Sequence, residues 1–129
     1  MKGILATFFV LFFLSCSNES MDTTTSSDLN GKWIEVKTKT DTLIFKSWES
    51  IETMTLNRGK EVRDGQLLPK SGSGPYEYKL ATGKISLYWM LSSSYSFNDY
   101  NFKRTGDTFV IGNFYNSPSG TTLTFKKIQ

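Results

Sequence analysis

The chain has 129 residues, a single cysteine, no histidine and a formal net charge of +3. Without histidine, and with its one thiol at Cys16, most of the chain lacks the usual ligands of zinc, copper and iron and the groups of Ser–His–Asp or Cys–His catalysis. The basic residues are scattered along the sequence, which is typical of a solvated face, with weak attraction to anionic lipid or polysaccharide as the alternative. We therefore expect no metal, no cofactor and no enzyme activity.

The first fifteen residues have the pattern of a secretory signal peptide. Lys2 supplies a positive charge, residues 4–14 form an uncharged apolar run, and Ser15 is a small residue before a cleavage point. The run has eleven residues, whereas a helix that spans a membrane needs about 20. The pattern predicts export of the chain and removal of residues 1–15.

The single cysteine follows that run directly, in the stretch FFLSCSNES at residues 12–20. This stretch resembles the signal of a bacterial lipoprotein of the Bacteroidetes type. The resemblance implies cleavage before Cys16, acylation of Cys16 and a lipid-anchored place in the cell envelope, at the outer membrane. It leaves open whether the protein faces the periplasm or the cell surface. Nucleic acid is not expected as a partner of an exported protein.

Residues 16–30 connect the predicted anchor to the rest of the chain. After Cys16 they are mostly Ser, Thr, Asn, Asp and Glu. Because so few apolar side chains are available for burial, this composition predicts a flexible tether. The folded part would then be held near a membrane without being pressed against it.

Residues 31–129 are predicted to form one all-β domain. Val, Ile, Thr, Tyr, Phe and Trp are abundant there, and glycine-containing turns separate short runs with period-two alternation, clearest at Ile85, Leu87 and Trp89. The predicted strands are 32–37, 42–47, 51–57, 61–67, 76–81, 84–91, 100–104, 108–114 and 121–128. Residues 64–75 are predicted to be the longest flexible connection and a candidate lid.

An antiparallel up-and-down meander of this length hides its edges best by closing into a barrel, and we expect eight to nine strands. The interior of such a barrel is either filled by side chains or holds one small ligand. Fifteen aromatic residues lie beyond residue 30, and this number favours a filled interior.

Two stretches resemble lipocalin-like proteins. LNGKW at residues 29–33 resembles the Gly-x-Trp start of lipocalin-type barrels, and DTFVIGNFYNSPSGTTLTFKK at residues 107–127 resembles the closing hairpin of small lipocalin-like lipoproteins of the Bacteroidetes. The resemblance implies that Trp33 packs at the barrel floor against a basic side chain of the last strand, for which Lys126 or Lys127 is available. It implies a fold more than a function.

The stretch SSSYSFNDYNF at residues 92–102 combines hydroxyls, amides and aromatic rings. Such a mixture can line a sugar or peptide site, and it is equally typical of an exposed loop that leads into a strand. Tyr88, Trp89, Tyr95 and Tyr100 are the candidate ligand contacts.

Three classes of function follow. The first is a membrane-anchored, non-catalytic binding module for a small apolar or amphipathic ligand, which a wide unfilled interior would favour. The second is an envelope interaction protein, either an inhibitor of a protease or lysozyme or an adaptor, which a filled interior with a projecting loop at 64–75 or 92–98 would favour. The third, a glycosidase using Glu35, Glu49 and Glu52, ranks last because no second motif frames a cleft.

Overall fold

The structure, a computed structural model, describes residues 23–129. The predicted signal peptide and Cys16 lie outside these residues. The described part begins with a short helix, α1 (Ser26–Leu29), and continues with ten strands. They are β1 (Gly31–Glu35), β2 (Thr42–Trp48), β3 (Ile51–Asn57), β4 (Lys60–Arg63), β5 (Gln66–Pro69), β6 (Gly74–Ala81), β7 (Lys84–Trp89), β8 (Asn98–Thr105), β9 (Thr108–Gly112) and β10 (Thr122–Lys127).

Eight of the strands close into an antiparallel barrel in the order β1-β10-β9-β8-β7-β6-β3-β2. Neighbouring strands are neighbours in sequence, except that β3 pairs with β6 and that β1 pairs with β10 to close the ring. Closure leaves no barrel strand with an unpaired edge, which removes the aggregation hazard of an open sheet. The predicted all-β meander and its closure into an eight-stranded barrel are confirmed.

Strands β4 and β5 form a separate hairpin between β3 and β6. The pattern predicted one strand at 61–67, whereas the structure has two strands in its place, and residues 66–69 of the predicted connection at 64–75 belong to β5. Asp64 and Gly65 have φ values of 51° and 76°, the left-handed pair that a two-residue hairpin turn requires. The chain therefore reverses at these two residues, and the first part of the predicted loop is strand β5.

The two ends of the barrel differ. At one end, the floor, tight turns at residues 49–50, 82–83 and 106–107 join the strands. At the other, the open end, the connections are longer, at residues 36–41, 58–73, 90–97 and 113–121. The open end is therefore the end at which loops and the β4–β5 hairpin can surround a site.

Helix α1 closes the floor, although its residues were assigned to the predicted tether. Leu29 is fully buried within the core, and its carbonyl accepts a hydrogen bond of 2.7 Å from the indole Nε1 of Trp33. The Asp28 carboxylate accepts from the backbone N–H of Thr25 at 2.9 Å and lies 3.8 Å from Arg104 on β8. The barrel thus takes up the last residues of the segment that composition marked as flexible.

Aromatic rings fill the floor and middle of the barrel. Phe109 lies at the centre, 4.8 Å from Trp33, 5.2 Å from Phe125 and 5.8 Å from Phe45 between ring centroids. Tyr78 meets Phe45 edge-on at 5.3 Å. Stacked, tilted and edge-to-face pairs of this kind each add about 0.5–1.5 kcal/mol to the stability that burial supplies. Packed side chains therefore occupy the lower interior of the barrel.

Within residues 23–129, no helix has the length and apolar character needed to cross a membrane.

Candidate functional site

A cup of about 360 Å³ opens at the end of the barrel opposite α1. Inward-facing residues of β6, β7 and β8 form one side, because alternation along each strand turns every second side chain into the barrel. The register places Tyr76 opposite Trp89 and Leu87 opposite Asn98. The full lining is Ser71, Gly72, Tyr76, Leu87, Trp89, Asn98, Tyr100, Phe114 and Tyr115.

Rings hold one another in place around this cup. Phe114, in the β9–β10 connection, lies edge-on to Tyr76 at 5.3 Å, 6.0 Å from Tyr100 and 4.8 Å from Tyr115 between centroids. Tyr76 and Leu87 are buried and form the base, whereas Trp89 is 42% exposed at the rim. The walls are thus set before any ligand arrives, which lowers the entropy lost on binding.

Two glycines allow the loop before β6 to approach the cup closely. A Cβ atom at Gly72 would lie 2.9 Å from Cβ of Tyr115, and one at Gly74 would lie 3.4 Å from the indole nitrogen of Trp89. Both residues have positive φ, at 84° and 136°, which side chains other than glycine rarely adopt. The carbonyl of Gly72 accepts a hydrogen bond of 2.7 Å from the hydroxyl of Tyr76, so the loop is fastened to the cup base.

Three polar side chains support the cup from the side; we call Asp41, which is buried, and Arg58 and Tyr115, which are half-buried, the clamp. Arg58 Nε forms an ion pair with the Asp41 carboxylate at 3.4 Å without a hydrogen bond. The same carboxylate accepts a hydrogen bond from the Tyr115 hydroxyl at 3.1 Å. The guanidinium carbon stands 4.9 Å from the Tyr115 ring centroid, and Arg58 Nη1 donates to the Ser71 carbonyl at 2.8 Å. The clamp joins the connections before β2, after β3 and after β9.

The phenols of the cup remain protonated at physiological pH. Burial, with a smaller contribution from Tyr100, raises the pKa of Tyr76 to about 12. Burial also raises the pKa of Tyr100, and burial followed by the nearby Asp41 carboxylate raises the pKa of Tyr115 well above its ordinary value. No lining residue of the cup carries a formal charge. The site is therefore a neutral aromatic surface with hydroxyl, amide and indole groups that can form hydrogen bonds.

The four candidate contacts named from the sequence lie in two different places. Trp89 and Tyr100 line the cup. Tyr88 and Tyr95 pack together on the outer wall, with ring centroids 4.6 Å apart, and Phe97 joins them there. The structure does not bring the four side chains together.

Sequence reasoning missed three aromatic members of the cup: Tyr76, Phe114 and Tyr115. Their meeting depends on barrel closure, which brings the start of β6 next to the connection between β9 and β10. The in-phase alternation of Tyr76 with the buried Tyr78 is the local signal that could have marked Tyr76 as inward-facing.

The other residues singled out from the sequence lie away from the cup. Trp33 is fully buried at the floor, and Lys127 Nζ lies 5.5 Å from the centroid of its ring. Glu35 is buried near the open end, where its carboxylate accepts from the backbone N–H of Thr38 at 2.6 Å. Glu49 and Glu52 belong to the β2–β3 hairpin at the floor, so the three carboxylates do not share a cleft.

Among residues 23–129, no three Asp, Glu, His or Cys side chains gather in a group able to hold a metal ion.

Comparison with known proteins found no matching family model, no matching curated protein and no matching solved structure.

Proposed function

We propose that this chain is a lipid-anchored protein of the bacterial cell envelope whose barrel binds a small amphipathic ligand in the cup and catalyses no reaction. The single observation that supports the binding function most is the lining of the cup, which is aromatic, uncharged and preorganised above a filled core. The resemblance of residues 29–33 and 107–127 to lipocalin-like lipoproteins agrees with this proposal.

The geometry of the cup limits what the ligand can be. Its volume of about 360 Å³ is at the small end of the range for ligand pockets, roughly 300–1,000 Å³. Because rings fill the barrel below Tyr76 and Leu87, only one end of a ligand fits into the cup and the rest stays outside it. That end is a neutral ring or a short apolar segment that lies against Trp89 and Tyr100. A polar edge can meet the Asn98 amide at the rim, which suits an amphipathic molecule.

A fluorescent probe tests the binding function directly. N-phenyl-1-naphthylamine is neutral, aromatic and bright only when it leaves water. We expect saturable binding of one probe per chain, weakened at least tenfold in Tyr100→Ala. Tyr88→Ala is the matched control, because Tyr88 lies on the outer wall of the neighbouring strand, and it should bind the probe like the unaltered protein. Absence of saturable binding, or equal loss in both variants, would contradict the proposal.

The native occupant can be sought by mass spectrometry. The protein would be purified from its own host and measured under native conditions. A bound small molecule that is retained by the Tyr88→Ala variant and lost from Tyr100→Ala supports a ligand in the cup.

The anchor is tested separately. Cys16→Ala should move the protein from the membrane fraction to the soluble fraction of its host, because acyl chains supply the attachment. If the variant stays with the membrane after its signal has been removed, acylation of Cys16 is not what holds the protein there.

A second function, that of an envelope interaction protein, has one specific observation in its favour. Val62 and Leu67 face each other across the β4–β5 hairpin, which lies outside the barrel sheet, and they are 70% and 63% exposed. Exposed apolar patches can mark a surface that contacts another protein. Cross-linking in the host, compared between the unaltered protein and a Val62→Ser, Leu67→Ser variant, would detect a partner that depends on this pair.

A further inference from the structure

One part of the barrel's outer wall carries only positive charge. The adjacent strands β10, β1, β2 and β3 turn three lysines outward: Lys32, Lys46 and Lys126. The acidic residues of these strands, Glu35 and Glu52, belong to the inward-facing set, the first almost fully buried and the second in phase with the buried Met54. The alternation of side chains along each strand thus leaves the outer face of these four strands without a carboxylate, and the nearest exposed one is Glu49, in the turn after Trp48.

Apolar side chains lie between these lysines. Ile34 and Ile44 are half-buried on the same outer face, and Trp48 and Ile51 form the pair nearest the floor. Trp48 is 63% exposed. We call the outward residues of these four strands the basic wall. An indole ring next to ammonium groups suits the boundary between lipid headgroups and acyl chains, where tryptophan is enriched.

The rest of the barrel surface has a different character. On the outer face of β6, β7 and β8, carboxylates accompany the lysines, and Lys84 pairs with Asp99 at 3.1 Å. Glu77 and Lys79 alternate along β6 on the same face. A surface of mixed charge is attracted to anionic lipid less strongly than one whose charged side chains are all lysines, so the basic wall is the side that fits a membrane best electrostatically.

The course of the chain places the floor of the barrel, at which the basic wall ends, near the predicted anchor. Thr23 lies at the floor, beside the β6–β7 turn, and Trp48 ends strand β2 at the same end of the barrel. Seven peptide units separate Thr23 from Cys16, and a fully extended stretch of that length spans at most about 25 Å. An acyl group on Cys16 would therefore keep Thr23, and the floor beside it, within about 25 Å of the bilayer. Trp48 lies at this end of the barrel.

We infer that the basic wall, with Trp48 at its tip, lies against the anionic headgroup layer of the membrane that holds the lipid anchor. This inference rests on the proposed acylation of Cys16. Contact between the basic wall and the headgroups keeps the floor close to the bilayer. The cup, at the opposite end of the barrel, stays open to a ligand in the aqueous phase.

The two exposed indoles at opposite ends of the barrel make the orientation measurable. Full-length protein, produced and acylated in its host, would be reconstituted in vesicles of phosphatidylethanolamine and phosphatidylglycerol that contain a brominated lipid. Bromine quenches only nearby indoles. Trp89→Phe leaves Trp48 as the exposed reporter, and Trp48→Phe leaves Trp89, with the buried Trp33 as a common background. We expect quenching several-fold stronger in Trp89→Phe.

Charge substitutions give the matched control. Lys46→Gln with Lys126→Gln should reduce the quenching of Trp48, whereas Lys79→Gln, on the mixed-charge side, should not. Equal quenching of the two reporters, or no quenching of either in protein that floats with the vesicles, would overturn the orientation and leave the anchor standing. Protein that neither floats nor carries a lipid mass at Cys16 would overturn both.

Discussion

The hydroxyl of Tyr115 donates a hydrogen bond of 3.1 Å to the Asp41 carboxylate, although 74 residues separate the two in the chain. Arg58 approaches the same carboxylate oxygen at 3.4 Å. Asp41 is 3% exposed, so this ion pair is largely removed from water. One wall of the cup therefore depends on the ion pair between Asp41 and Arg58. Loss of either charge leaves the other without a counter-ion.

Removing the carboxylate of the clamp should destabilise the protein strongly. We expect Asp41→Asn to lower the free energy of unfolding by about 3 kcal/mol, because Arg58, which is only 18% exposed, would keep its charge without a counter-ion. Tyr115→Phe loses one hydrogen bond and should cost about 1–2 kcal/mol. Urea unfolding measures both. Glu61→Gln is the control, since its pair with Arg63 is exposed and should contribute less than about 1 kcal/mol. Equal losses in Asp41→Asn and Glu61→Gln would show that the clamp is not stabilising.

Local patterns in the sequence were sufficient for the barrel and insufficient for the cup. Period-two alternation and glycine turns are properties of short segments, and they located the eight barrel strands. The alternation that turns Ile85, Leu87 and Trp89 inward also turns Tyr88 outward. The sequence alone therefore places two of the four candidate contacts, Tyr88 and Trp89, on opposite faces of their strand. The meeting of Tyr76 with Phe114 depends on register and closure between distant segments, which no local pattern contains.

Two local signals were present and were not recognised. Asp64-Gly65 is a strong hairpin dipeptide, but it lies within a run whose average composition predicts one strand. Leu29 is a single apolar residue at the end of a polar segment. The average composition of that segment does not predict that Leu29 is buried. Both errors arose from treating a stretch by its average character instead of by its individual residues.

Leu29 provides a test of whether α1 is part of the folded barrel. Leu29→Ala should lower the free energy of unfolding by about 3 kcal/mol, because it leaves a cavity beneath Trp33 that the floor cannot fill. Ser27→Ala, at an exposed position of the same helix, should change it by less than about 0.5 kcal/mol. If urea unfolding shows two variants of equal stability, the segment before β1 does not pack on the barrel in solution.

Gly31 marks the place where the first strand meets the end of the chain. It has a φ of 126°, and a Cβ atom there would overlap the backbone carbonyl oxygen of Gln129, which accepts from the N–H of Lys32 at 3.0 Å. Gly31→Ala should therefore cost at least about 3 kcal/mol, from backbone strain and from displacement of the last residues. Gly83 also has a positive φ, but the space around it is open. Gly83→Ala should therefore lower the free energy of unfolding by only about 1 kcal/mol. Thermal unfolding would reveal the difference, and equal midpoints would refute a packing role for Gly31.

The buried phenol of Tyr76 makes the stability of the fold depend on alkaline pH. The pKa of Tyr76 is about 12 in the folded protein against 10.0 for an ordinary tyrosine, chiefly because of burial. Between these two values the unfolded chain has released the proton and the folded chain has kept it, so the unfolded state binds fewer protons and stability falls as the pH rises. The contribution of Tyr76 is complete below pH 10 and is lost by about pH 12, with a loss of about 1 kcal/mol near pH 11.

Comparison with Tyr76→Phe isolates this effect from the titration of other groups. At neutral pH the variant should be less stable by about 1 kcal/mol, because the hydrogen bond to the Gly72 carbonyl is gone. As the pH rises above 10, the unaltered protein loses the contribution of Tyr76 and the variant does not, so the two stability curves should meet near pH 11 and cross above it. Urea unfolding at a series of alkaline pH values follows the gap directly. Parallel curves would mean that Tyr76 titrates alike in both states, and that the base of the cup is open to water.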